Sequence, residues 1–160
     1  KKISYQRSNV LQLKIKTMIS IKNLFHINAP KEKVYKAISN VEGLSNWWTT
    51  ETTGESKVDG VIQFRFGGGG PDLKVMEVKP NESVTWECVS GAEEWKGNIF
   101  TFKLDENDGK TRVRFEHVGW KEANDFYASC AFSWGRYLES LRQYCQTGKG
   151  EAFGSEGYRQ

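Results

Sequence analysis

Between residues 52 and 118 the sequence alternates apolar and polar residues in short runs. Turn signals cut the runs at close intervals: Asp59-Gly60, Gly67 to Gly70 with Pro71, Pro80-Asn81, Gly91, and Asn107-Asp108-Gly109. A period of two puts successive side chains on opposite faces of a strand, and connections this short join antiparallel neighbours. The spacing predicts strands at 52–58, 61–67, 72–79, 83–90, 95–104 and 111–118, laid out as a meander. A further strand precedes them, where Ile19, Ile21, Phe25 and Ile27 alternate up to about Asn28.

Two stretches change to helical spacing. After Asn28, Pro30 suits a first helical turn because its missing N–H would be unpaired there, and Val34, Ala37, Ile38 and Val41 repeat until Gly43. The segment Leu44-Ser45-Asn46-Trp47-Trp48 is predicted to add one or two turns docked by its tryptophans. The longest element runs from 125 to 147, between a capping Asn124-Asp125 and the stop at Gly148. At 1.5 Å per residue it is about 35 Å long. Seven strands ~4.8 Å apart span about 29 Å, so one helix crosses the whole sheet.

The fold class is therefore α+β: a curved antiparallel sheet of about seven strands wrapped around a long C-terminal helix, with two short helices after strand one. At 160 residues the chain is expected to hold one domain. We place it at 18–153, with 1–17 as a basic leader or tag-like extension and 154–160 as a tail. Aromatic residues make up 13% of the chain, too many for a disordered one, and no run approaches the ~20 apolar residues of a membrane span. Residues 1–17 carry five cations and no acid, and Leu11, Leu13 and Ile15 alternate there as an extension of strand one would. Without those five the net charge of +3 becomes −2, and a mildly acidic body gives no support to nucleic-acid binding. Cys88, Cys130 and Cys145 are odd in number and far apart, without metal-ligand spacing. They read as buried reduced thiols, which points to the cytoplasm. No cofactor or metal constellation is present in the sequence.

The order of motifs carries a resemblance. The segment Asn28-Ala29-Pro30-Lys31-Glu32-Lys33-Val34-Tyr35-Lys36-Ala37-Ile38 is followed by Trp47-Trp48, then Glu116-His117-Val118-Gly119-Trp120, then Trp134 through Leu141, then Thr147-Gly148-Lys149-Gly150. Over about residues 19–153 this resembles the START-like (SRPBCC) superfamily, in the branch of homologues of the heat-shock protein 90 ATPase activator. The resemblance implies a helix-grip fold with a cavity between helix and sheet, in a superfamily that binds lipids, sterols, polyketides and other apolar ligands. It implies no single reaction. The branch name also points to a chaperone partner, although activators of that kind carry a separate second domain.

Strand parity nominates the cavity lining. Phe64 and Phe66 share one face with Ile62, Trp86 shares one with Val84 and Cys88, Phe102 with Phe100 and Leu104, and Phe115 with Val113 and His117. To these the helix adds Trp134, Tyr137 and Leu141, and the short helical turn adds Trp48. The alternative is an ordinary packed core in which each ring simply buries its surface. His117 and Tyr137 are the catalytic candidates, as groups that orient a polar ligand atom or move a proton near neutral pH. His26 is out of phase with its apolar neighbours and is expected on the outer face. Gly67 to Gly70 lacks the Lys-Ser/Thr of a phosphate loop and reads as a flexible hairpin at the cavity mouth. A carrier or sensor of a small apolar ligand is preferred to a polyketide cyclase or aromatase, because no nucleophile–base pair is visible. The third reading is a chaperone-interaction protein.

Overall fold

The structure is a computed structural model and describes residues 18–159. The alternation foreseen for the leader lies outside those residues. Seven strands form one antiparallel sheet: β1 (Ile19–Ile27), β2 (Glu51–Gly54), β3 (Val61–Arg65), β4 (Asp72–Lys79), β5 (Ser83–Ser90), β6 (Ile99–Asn107) and β7 (Lys110–Trp120). Their order across the sheet is β1-β7-β6-β5-β4-β3-β2, so β2 to β7 are the expected meander and only β1 crosses over, pairing Ile21 with His117. The helices α1 (Lys31–Ser39) and α2 (Val41–Trp47) occupy the β1–β2 connection, and α3 (Asp125–Thr147) follows β7. Seven antiparallel strands closed over one long helix are the helix-grip arrangement.

The ends of α3 coincide with their capping signals. The Asn124 side chain accepts from the Tyr127 N–H at 3.0 Å, and Gly148 takes a left-handed conformation while its N–H donates to the Tyr144 carbonyl. Cys130, Trp134, Leu138, Leu141 and Cys145 form its buried stripe. In β4 a register shift between Val75 and Glu77 sends Met76 outward and bends the strand. That bulge settles the two apolar faces which β4 presents in sequence: Val75 is buried, whereas Glu77 stays exposed.

Two strands each lose four residues of the sequence expectation, and β3 stops at Arg65 instead of 67. Residues 55–58 leave the sheet because the chain turns at Asp59, whose φ of 66° is left-handed, and Gly60 N–H closes the turn onto Lys57 O. Residues 93–95 form a 3-10 turn that the Asn98 side chain ties down by donating to Glu94 O, so β6 starts only at Ile99. After α3 the chain returns across α2. Ser140 Oγ donates to Trp47 O and accepts from the Glu151 N–H, Ala152 is buried, and Phe153 bridges to Thr49. Those ties hold Trp47 and Trp48 against α3.

The packing of α1 on α2 needs a residue without a side chain. A Cβ at Gly43 would lie 2.7 Å from Ala37 Cα and from Lys36 O, both backbone atoms of α1. Gly135, in the middle of α3, has nothing within 4 Å of such a Cβ. We therefore expect Gly43→Ala to destabilise the fold by about 1–3 kcal/mol, and Gly135→Ala to stabilise it by about 0.5–1 kcal/mol through helix propensity. Urea titration of the two variants checks both signs.

Candidate ligand cleft

Trp48 and Trp134 are the hub of an aromatic cluster beneath α3. The Trp48 ring lies 4.2 Å from Phe64 and 4.8 Å from Trp134, centroid to centroid, and Trp134 lies 4.4 Å from Phe115. Above this floor a cleft of about 410 Å³ opens between the first half of α3 and two turns of the sheet. Phe126, Ser129, Cys130, Ser133, Trp134 and Tyr137 line it from the helix. Gly70 and Pro71 form one rim, and Gly91, Ala92 and Trp95 form the other. The rims touch at Gly91, where φ is 146° and a Cβ would stand 3.2 Å from Pro71 Cα, so a glycine permits the contact. Trp48 and Phe66 complete the wall, and no lining side chain is charged.

Of the ten side chains nominated from the sequence, Trp48, Phe66, Trp134 and Tyr137 line this cleft. Phe64, Trp86, Phe102, Phe115, His117 and Leu141 are packed beneath it, each at most 1% exposed. The reason is geometric: parity fixes the face of a strand, but the middle of the sheet is filled by α2 and the centre of α3. The cleft opens instead at the end bounded by the two rim turns. The lining residues that strand parity missed are Phe126, Ser129, Cys130 and Ser133, together with Trp95 and the rim turns. Positions 126, 129, 130, 133, 134 and 137 follow helical spacing along one flank of α3, and this was the available signal. His26 sits on the outer face, 3.3 Å from Asn107 Oδ1.

His117 lies behind Trp134. The Trp134 indole N–H donates to Nδ1 at 3.1 Å, which leaves the single ring proton on Nε2, facing the Asn98 carboxamide at 3.0 Å. Phe100, Trp120 and Trp95 close the remaining sides, with centroids 4.1, 4.8 and 4.9 Å from the imidazole. Burial without an acidic partner pushes the His117 pKa down to about 3, so the ring is neutral at physiological pH and is a positioning group for Trp134. Burial likewise raises the pKa of the Cys130 thiol, and burial beside the Tyr158 hydroxyl raises that of the Tyr137 phenol. Both stay protonated, so the cleft offers hydrogen-bond donors and no base.

The family model for activator of Hsp90 ATPase homolog 1-like proteins matches residues 28–146. A comparison with curated proteins gave no significant match. Among solved structures, that of the Aha1 dimer from Colwellia psychrerythraea is 40% identical with a TM-score of 0.78, over 83% of this chain and 100% of that one. Protein MLL2253 from Mesorhizobium loti is 21% identical with a TM-score of 0.68, over 78% and 95% of the two chains. CalU16 from Micromonospora echinospora is 17% identical with a TM-score of 0.68, over 79% and 74%. The last two show the fold alone.

A histidine whose pKa falls from 6.5 to about 3 on folding binds a proton more readily in the unfolded chain. Its contribution is complete above pH 6.5 and is lost as the pH falls towards 3, at about 1.4 kcal/mol per pH unit. His117→Gln removes this slope. Urea midpoints of wild type and variant between pH 7 and pH 4.5 should converge as the pH falls, whereas parallel curves would contradict the buried neutral imidazole.

Proposed function

Because the chain belongs to the activator of Hsp90 ATPase homolog 1-like family, with an open cleft between the long helix and the sheet, we propose that it binds a small hydrophobic ligand there, as a carrier or sensor. The ligand is of the lipid, sterol, polyketide or flavonoid class. The observation that carries this reading is the lining: about 410 Å³ bounded by six aromatic side chains, with hydroxyls at Ser129, Ser133 and Tyr137 and no charge. Ligand sites have this size and composition, with a few polar groups to set orientation. Binding is preferred to catalysis because His117 is sealed behind Trp134 and Tyr137 keeps its proton.

The neutral fluorophore 4-(1-pyrenyl)butanol serves as the probe. Wild type should bind it saturably. Ser129→Trp, which fills the mouth of the cleft from an exposed helical position, should weaken binding at least about tenfold, a cost of ~1.4 kcal/mol. An unchanged affinity would place the probe elsewhere and count against the cleft.

Self-association is a second reading, favoured by Phe132, which is 68% exposed on α3. The 40% identical Colwellia psychrerythraea protein is a dimer. Light scattering coupled to size exclusion should then return a dimer mass for wild type and a monomer mass for Phe132→Ser. A monomer in both contradicts this reading.

A further inference from the structure

The cleft borders a second space at Ser133 and Tyr137. Ser133 and Tyr137 also wall a second cavity of about 290 Å³, bounded on its far side by Arg136, Glu151, Tyr158 and Arg159. The two spaces share a partition and differ in chemistry: the first has an uncharged lining, whereas the second holds two guanidinium groups and one carboxylate. Arg159 donates to the Glu151 carboxylate, and Arg142 pairs with Glu139. Among the described residues this leaves Arg136 without a carboxylate partner. Its guanidinium donates to the Arg159 carbonyl and stands 5.7 Å from the Phe132 ring centroid, which holds it at the cavity wall.

We propose that the ligand of the cleft is an amphipathic carboxylate, its apolar body in the aromatic cleft and its headgroup in the second cavity on Arg136. This rests on the cleft being a binding site, as proposed above. An uncharged lining gives an anion no anchor, so a ligand confined to the cleft has no reason to be acidic. A ligand that passes the partition meets a guanidinium that has no carboxylate partner among the described residues, and one planar fork of N–H donors matches one carboxylate. A phosphate dianion would keep a charge unmatched. The Ser133 and Tyr137 hydroxyls on the partition donate from the side, and the Tyr137 phenol stays protonated to do so.

The test compares 4-(1-pyrenyl)butyrate with 4-(1-pyrenyl)butanol, which differ only in the headgroup, by fluorescence titration of the full chain. Wild type should bind the butyrate about tenfold or more tightly than the butanol. Arg136→Gln should bring the butyrate to the level of the butanol and leave the butanol affinity unchanged. Arg136→Lys should keep part of the preference, since it restores charge without the fork. Equal binding of both probes by wild type, or a preference that survives Arg136→Gln, would overturn the headgroup assignment while leaving the cleft in place. Binding of neither probe would overturn the cleft as a ligand site and this inference with it.

Discussion

The hydrogen bond from the Trp134 indole to His117 Nδ1 joins the centre of the long helix to β7. Both residues are at most 2% exposed, so neither polar atom has water as an alternative partner. Breaking the contact would leave a buried donor and a buried acceptor unpaired, a loss of about 1–3 kcal/mol for each group. The bond also fixes the rotation of α3 about its axis. With Trp134 turned down onto Phe115 and Trp48, the flank carrying Ser129, Ser133 and Tyr137 must face the opening. The cleft is thus a consequence of how the helix is seated.

The strand and helix pattern was largely legible because it rests on local chemistry. The helix from Asp125 to Thr147 carries its own stop signals in Asn124 and Gly148, and β4 and β5 have the limits that their alternation indicates. The strands failed at 55–58 and at 95–98. There a left-handed aspartate and an asparagine side chain bonding to Glu94 O override a run that would otherwise extend. The site was less legible. Parity separates inward from outward residues except at the β4 bulge, yet it cannot distinguish an inward ring that meets another ring from one that meets space. Phe102 and Phe66 have the same parity signal. One is buried between Trp47 and Trp86, and the other faces the cleft and Tyr137.

A polar residue at the heart of an apolar cluster invites a catalytic reading, and here the surroundings decide otherwise. A general base must reach its substrate and must accept a proton near working pH. His117 lies behind the cleft floor, both of its nitrogens are engaged, and its pKa is near 3. It holds a tryptophan in place. The groups that line the cleft are hydroxyls, a thiol and ring faces. Such groups recognise and orient a molecule, and binding is the chemistry they support.

The six tryptophans provide a direct readout of where a ligand sits, since each contributes one indole N–H signal in a nitrogen–proton correlation spectrum. Trp48, Trp95 and Trp134 line the cleft, whereas Trp47, Trp86 and Trp120 lie outside its lining. During titration with 4-(1-pyrenyl)butanol, the first three signals should shift well beyond the other three, and Ser129→Trp should suppress those shifts. Shifts of equal size across all six signals, or shifts largest at Trp47 or Trp120, would contradict a ligand cleft between the long helix and the sheet.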